Sequence, residues 1–213
     1  MLFINHQNVL SITRYFIVVN DVFTKDQCQQ IVDIGKKSDI SPSKILSHDN
    51  EHSCDVHPSP TDIRKSKSSF ILPNEENAWI FQRLLEVSNF ANENYFHFDL
   101  HGFNFLQYTE YHQGGDHYDW HMDLALKGSE IEDPLPDARN RKLSASVFIS
   151  DPSEYTGGQL YIDRYSNNAP IYTINQQIGS VVFFPSYLHH KVDKVYSGIR
   201  RSLVFWLQGP KFK

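Results

Sequence analysis

Cysteine is scarce in this sequence, and so is any surplus of positive charge. The chain has two cysteines, Cys28 and Cys54, among 213 residues, which is too few for the disulfide framework of a small secreted protein. We therefore expect a reducing, cytoplasmic location. Twenty basic residues against twenty-five acidic ones give a formal net charge of -5. Without an overall basic field, nucleic acid is not an expected partner.

Long apolar runs are also missing. No stretch reaches the roughly 18 apolar residues of a membrane-spanning helix, and residues 1–9 have neither the basic start nor the apolar run of a secretion signal. Yet hydrophobic residues make up 40% of the sequence and aromatic residues 14%, which is too apolar for a disordered chain. The sequence predicts one globular domain over residues 1–213 with no membrane partner, and it leaves the oligomeric state open.

The first hundred residues carry the helical patterns. Residues 15–19 predict a short strand, and a capping-box pattern starting at Thr24 opens a helix over about residues 24–37. A second helix is predicted to start at Asn74, because apolar residues then recur at helical spacing as far as Ala91.

Two polar stretches are predicted to be loops. Residues 38–69 are rich in Ser, His, Asp and Pro, which favours an exposed loop. Residues 127–142 are highly charged and form either a solvated connection or a lid. Residues 1–100 are therefore interpreted as helical support and loop, and both polar stretches are expected to frame the entrance to any site.

The C-terminal half has a different residue pattern, in which short runs of β-branched and aromatic residues are separated by Gly, Asp, Asn and Pro. Such a succession predicts a barrel or a two-sheet sandwich over residues 101–210, so the fold is mainly β with flanking helices. Gly157 and Gly158 are interpreted as a turn into a strand. The predicted strands cover residues 103–111, 143–149, 159–162, 171–174, 180–184 and 199–207.

A His-x-Asp pattern on a strand places both side chains on one face, where they can bind one ion. Two imidazoles and one carboxylate suit non-haem iron(II), because they leave positions open for a co-substrate and oxygen. The third ligand must come from a distant strand, where His189 and His190 are both available. The pattern occurs three times, at His97/Asp99, His117/Asp119 and His121/Asp123.

A bidentate 2-oxo acid on such an ion would need a buried cation for its far carboxylate. Arginine is best suited, because its planar fork pairs with a carboxylate through two parallel hydrogen bonds. Arg200 and Arg201 lie at the head of an apolar strand. Only one of them should point inward, and a shift of one residue would exchange them.

Three segments carry a resemblance to a known family. They are similar to the prolyl 4-hydroxylase-type branch of the Fe(II)/2-oxoglutarate dioxygenases, which implies a double-stranded β-helix, or jelly roll. That family's pattern Tyr-x-x-His-x-Asp fits Tyr118, His121 and Asp123. The segments are YHQGGDHYDWHMD (111–123), SASVFISDPSEYTGGQLYI (144–162) and LHHKVDKVYSGIRRSL (188–203).

The resemblance also implies roles for the site residues. His121, Asp123 and His190 would be the catalytic iron ligands. In the family a basic residue follows the distal ligand by ten positions, which pairs His190 with Arg200 as the 2-oxoglutarate clamp. Tyr111 corresponds to a tyrosine that helps to hold the same carboxylate. His189 and Arg201 stay as alternatives, Tyr111 and Tyr118 are alternatively core packing, and a zinc-like cluster that includes His117 and Asp119 is a further alternative.

The activity implied by the resemblance is hydroxylation of a C–H bond. Fe(II), 2-oxoglutarate and O2 would be required, succinate and CO2 released, and ascorbate used as reductant. The expected substrate is a side chain of a peptide or protein, proline first, with a free amino acid or small metabolite as the alternative. A non-catalytic metal- or ligand-binding jelly roll is the competing hypothesis.

Overall fold

The computed structural model describes residues 9–13, 15–50, 53–58, 62–124, 140–163 and 171–210. The helices are α1 (Lys25–Lys37) and α2 (Ala78–Ala91), which continues into a π-helical turn (Asn92–Phe96). The strands are β1 (Val9–Ile12), β2 (Ile17–Val19), β3 (Ser41–Pro42), β4 (Lys44–Asn50), β5 (Ser53–Pro58), β6 (Arg64–Lys65), β7 (Lys67–Ile71), β8 (Leu106–His112), β9 (His117–His121), β10 (Arg141–Phe148), β11 (Tyr155–Gly157), β12 (Leu160–Asp163), β13 (Tyr172–Thr173), β14 (Val181–Pro185), β15 (His189–Val192) and β16 (Val195–Gln208).

Two antiparallel sheets face each other. The larger has the order β1-β2-β14-β10-β16-β8-β7-β3, with β11 paired to β16, and the smaller has the order β13-β12-β15-β9-β6. One apolar cluster lies between the larger sheet and the helices, and a second combines residues of both sheets. The predicted jelly roll with flanking helices is therefore confirmed.

The first helix begins as predicted. Thr24 Oγ1 accepts a hydrogen bond from Gln27 N–H at 3.2 Å, and Gln27 Oε1 accepts one from Thr24 N–H at 3.0 Å. Because these two bonds satisfy otherwise unpaired amides, they fix the start of α1. Cys28 and Ile31 on its apolar face are buried against the sheet.

The second helix begins later than predicted. Asn74 and Asn77 exchange side-chain-to-backbone hydrogen bonds of 2.8 and 3.0 Å, which hold residues 74–77 in a turn. The helix therefore starts at Ala78 instead of Asn74. Its buried face contains Ile80, Leu84, Val87, Ser88 and Ala91.

The prediction of an exposed loop over residues 38–69 is wrong. β7 pairs with β8 in the larger sheet, where β3 forms the edge beyond it, and β6 pairs with β9 at the edge of the smaller sheet. The polar side chains of β6 and β7 did not predict strands, but strand pairing is made by backbone hydrogen bonds and does not require apolar side chains. Residues 1–100 thus contribute strands to both sheets as well as helices.

The charged stretch 127–142 is only partly covered, since residues 125–139 lie outside the described residues and Arg141 already belongs to β10. No helix of the described segments is long and apolar enough to cross a membrane.

Candidate metal centre

Three side chains from two neighbouring strands meet inside the sandwich. His121 ends β9, Asp123 follows two residues later, and His190 in β15 is the register partner of His121. His190 Nε2 lies 3.5 Å from Asp123 Oδ2, and His121 Nε2 lies 3.9 Å from Asp123 Oδ1. One potential ligand atom from each residue lies within 4.8 Å of the other two, a spacing that a single metal ion can bridge.

Backbone carbonyls fix the orientation of both imidazoles. His121 Nδ1 lies 2.7 Å from the Asp119 carbonyl oxygen, and His190 Nδ1 lies 3.1 Å from that of Leu188. Because a carbonyl oxygen only accepts hydrogen bonds, each Nδ1 carries a hydrogen, which leaves Nε2 of each ring as the atom that can face a metal ion. A hydrogen bond on the far nitrogen is the usual arrangement of a metal-binding histidine.

The electrostatics of the three residues suit a divalent cation. Burial, followed by nearby His190, holds the pKa of His121 well below its ordinary value, so this imidazole is neutral. Burial alone would raise the pKa of Asp123, but His190, His121 and Arg141 outweigh it and lower that pKa to about 2. A charged carboxylate beside imidazole nitrogens is a donor set that suits iron(II).

The other histidine candidates do not join this cluster. His117 uses both ring nitrogens, at 2.8 Å from the Gly115 carbonyl oxygen and 3.1 Å from that of Asp62. His97 lies at the end of the π-helical turn, and His189 points to the opposite face of β15 from His190. Within the described parts of the chain, no second group of His, Cys, Asp and Glu has metal-ligand spacing.

The two neighbouring arginines have opposite surroundings. Arg200 is 1% exposed and pairs in register with Tyr111 of β8, and its guanidinium carbon lies 5.4 Å from the Tyr111 ring centre. Arg201 faces the helix side, where its Nε donates to Glu110 Oε1 at 3.2 Å. Among the described residues no carboxylate forms an ion pair with Arg200, which leaves this cation available to an anionic ligand.

Two further arginines lie beside the centre and escaped the sequence analysis. The Arg64 guanidinium lies 4.5 Å from the ring centre of Tyr118, whose ring stacks on His121 with centroids 3.4 Å apart. Arg141 Nη1 donates to the Asp123 carbonyl oxygen at 3.5 Å, and its guanidinium lies 3.8 Å from the Trp206 ring centre. Both arginines come from stretches that were interpreted as polar loops. In such a stretch, the neighbouring residues do not indicate that an arginine side chain points inward.

Residues 106–208 match the family model described as the 2OG-Fe(II) oxygenase superfamily. This part of the chain belongs to that superfamily. Every predicted site residue falls inside this oxygenase segment, namely Tyr111, His121, Asp123, His190 and Arg200, whereas Arg64 falls outside it.

The oxygenase segment also has named relatives. A PKHD-type hydroxylase of Shewanella baltica is 37% identical over 99 residues, which cover 46% of this chain and 40% of that protein. A PKHD-type hydroxylase of Janthinobacterium sp. is 33% identical over 101 residues, with the same shares covered. The chain thus spans about 40% of the length of these curated relatives.

Solved structures share the fold over most of the chain. A Pseudomonas putida prolyl-4-hydroxylase aligns with a TM-score of 0.64 at 18% identity, over 93% of this chain and 94% of that one. A Trichoplax adhaerens prolyl hydroxylase, in complex with a hypoxia inducible factor oxygen degradation domain peptide fragment, aligns with a TM-score of 0.68 at 18% identity, over 92% and 84%. The oxygenase segment and the residues before it thus share one known architecture.

Proposed function

We propose that the protein is an Fe(II)- and 2-oxoglutarate-dependent dioxygenase that hydroxylates a C–H bond. The convergence of His121, Asp123 and His190 within 4.8 Å carries this proposal. The buried Arg200 borders the same space, because its guanidinium lies over Tyr111 and Phe148, which belong to the apolar cluster around His190. A metal site alone would not need that cation.

Each side chain has a role in this proposal. His121 and His190 would hold iron through Nε2 and Asp123 through its charged carboxylate, while Arg200 and Tyr111 would bind the far carboxylate of 2-oxoglutarate. When bound, iron with 2-oxoglutarate and O2 supplies the oxidation, with release of succinate and CO2. Ascorbate would serve as the reductant that keeps the iron ferrous.

A peptide or protein side chain, with proline first, is the substrate that we propose. The structural neighbour bound to a peptide fragment supports this choice. A free amino acid or small metabolite is the alternative.

A cytoplasmic location is part of this proposal. The one cysteine side chain that the structure describes, Cys28, is a buried free thiol, which agrees with a reducing compartment.

Succinate formation tests the proposed activity. The protein is incubated with 2-oxoglutarate, Fe(II) and ascorbate, and succinate is measured for wild type, His121→Ala and His117→Ala. We expect turnover in wild type and His117→Ala and none in His121→Ala, because His121 faces the metal centre and His117 does not. Equal background in all three proteins would favour a non-catalytic jelly roll. Mass spectrometry of peptide and metabolite pools, seeking one added oxygen atom, then identifies the substrate class.

A further inference from the structure

The Gly157-Gly158 turn lies directly against the side chain of Arg200. Gly158 has a φ of +63°, and its N–H donates to the Lys194 carbonyl oxygen at 2.9 Å. A Cβ added at Gly158 would lie 2.8 Å from Arg200 Cδ and 2.9 Å from Val195 Cγ2. Real Cβ atoms essentially never come this close to another heavy atom. The aliphatic part of the Arg200 side chain can therefore keep its position only while residue 158 is a glycine.

A buried amide connects this turn to the guanidinium. Gln176, in the connection between β13 and β14, is 7% exposed. Its Oε1 accepts a hydrogen bond from Arg200 Nε at 3.0 Å, and its Nε2 donates to the Gly158 carbonyl oxygen at 3.3 Å. Tyr155 also lies beside this turn, and the nearby Arg200 guanidinium offsets part of the rise in the Tyr155 pKa that burial causes. The turn, the amide and the phenol thus enclose one edge of the guanidinium.

The chemistry of residue 176 matters as much as its position. An amide oxygen accepts the Nε–H and leaves the net charge of Arg200 in place. A carboxylate at the same position would form an ion pair with Arg200 and remove its attraction for an anionic ligand. The neutral acceptor orients the arginine and keeps it available.

We infer that Gln176 and Gly158 are positioning residues for the 2-oxoglutarate subsite. They hold Arg200 by its Nε and its aliphatic stem, so that the terminal nitrogens face the far carboxylate of the co-substrate. This inference rests on the proposed function, because it requires Arg200 to bind that carboxylate. It also gives Gly158, otherwise part of an ordinary turn, a role in co-substrate affinity.

Binding without turnover tests the inference. The full chain is loaded with Mn(II), and 2-oxoglutarate is titrated under anaerobic conditions by calorimetry. We expect Gln176→Glu and Gly158→Ala to raise the Kd for 2-oxoglutarate about tenfold or more, the loss typical of a charge-assisted hydrogen bond. The Kd for Mn(II) alone should stay within about twofold of wild type, because the metal-facing residues are untouched.

Two controls separate positioning from general damage. Oxalate can chelate the metal but has no far carboxylate, so its Kd should be the same in wild type and both variants. Gly102→Ala places a side chain at another positive φ, +112°, where nothing lies within 4 Å of the new Cβ. It should lower stability without changing the Kd for 2-oxoglutarate.

The outcomes distinguish the two proposals. If wild type binds 2-oxoglutarate and Gln176→Glu binds it equally well, the positioning inference is wrong and the proposed function stands. Equal weakening of oxalate and 2-oxoglutarate would also overturn the inference. If Mn(II)-loaded wild type binds no 2-oxoglutarate, both proposals fail. Should Gly158→Ala not fold, Gln176→Glu decides alone.

Discussion

The two faces of the larger sheet are equally well buried but differ in chemistry. On the helix side, residues 143–147 of β10 and 203–207 of β16 present apolar side chains, whereas the alternate residues of these strands, which face the smaller sheet, include three serines and a guanidinium. The exception on the helix side is Arg201, which pairs with Glu110. The helix-side residues are Leu143, Ala145, Val147, Leu203, Phe205 and Leu207, and their opposite neighbours include Ser144, Ser146, Arg200 and Ser202.

Because of this difference, one pair of strands provides both a core and a site. Successive residues of a strand point to opposite faces, so the same segment holds the fold together on one side and lines the co-substrate space on the other. Substitutions on the helix side should therefore cost stability and spare ligand binding. Substitutions on the other side should do the reverse.

The largest effect is expected from Phe205→Ala on the helix side. Phe205 is fully buried and stacks near Phe103, with ring centroids 4.7 Å apart. Its truncation should lower the free energy of unfolding by about 3–5 kcal/mol, as for other buried aromatic residues. Denaturant unfolding measures this loss, with Val204→Ala on the opposite face as the neighbouring control. A loss of the same size for Val204→Ala would contradict the division between the two faces.

Substitutions of the adjacent residues Arg200 and Arg201, which face opposite sides of the sheet, test the same division. Arg200→Leu should weaken 2-oxoglutarate binding about a hundredfold, because it removes a bidentate cation. It should leave stability unchanged or raised, since a buried charge without a carboxylate partner is costly.

The matched variant Arg201→Leu should behave in the opposite way. It leaves the Glu110 carboxylate without one of its partners, so stability should fall by about 1–3 kcal/mol while co-substrate affinity is retained. Calorimetric titration and denaturant unfolding of both variants check the pair. Loss of binding in Arg201→Leu alone would mean that the register of β16 is shifted by one residue.

Glu110 makes the helix side sensitive to acid. Burial would raise the pKa of Glu110, but hydrogen bonds from Tyr108 and Arg201 outweigh it and hold this pKa below the ordinary value of 4.5. The stability contributed by the ionised carboxylate is therefore fully present above the ordinary value, and it is lost as pH falls through that value toward the lowered one.

Glu110→Gln should make the free energy of unfolding less dependent on pH in the acidic range. It should also lower the free energy of unfolding at neutral pH by about 1–2 kcal/mol. Unfolding curves recorded across the acidic range measure both effects. The exposed Glu75→Gln is the control and should keep the wild-type profile. An unchanged profile in Glu110→Gln would show that acid acts elsewhere in the molecule.

The sequence predicted what depends on local pattern. The capping box at Thr24 and the six strands of the C-terminal half are signalled by neighbouring residues, and the structure contains all of them within a few residues of the expected bounds. The His121/Asp123 pair followed from a short motif, because strand alternation fixes which side chains share a face, whereas His190 was chosen through the family resemblance; the structure brings all three together. Their assignment as iron ligands stays a proposal.

Long-range pairing could not be predicted in this way. β6 and β7 have largely polar sequences, and only their partners β9 and β8, about 35 to 55 residues later, make them strands. Arg64 and Arg141 reach the metal centre through the same distant contacts. Likewise the local sequence predicts only a turn at Gly158, and its contact with Arg200 becomes visible only in the structure.

The smallest effect should come from the cap of α1, which lies on the helix side. Thr24→Ala removes the acceptor of the Gln27 N–H and should lower stability by about 1 kcal/mol. Thr24→Ser keeps a hydroxyl at the same place and should stay close to wild type. Neither variant should change the Kd for 2-oxoglutarate, measured by the same titration. If Thr24→Ala weakened co-substrate binding while Thr24→Ser did not, packing on the helix side would be adjusting Arg200 through the sheet, and the two faces could no longer be treated as independent.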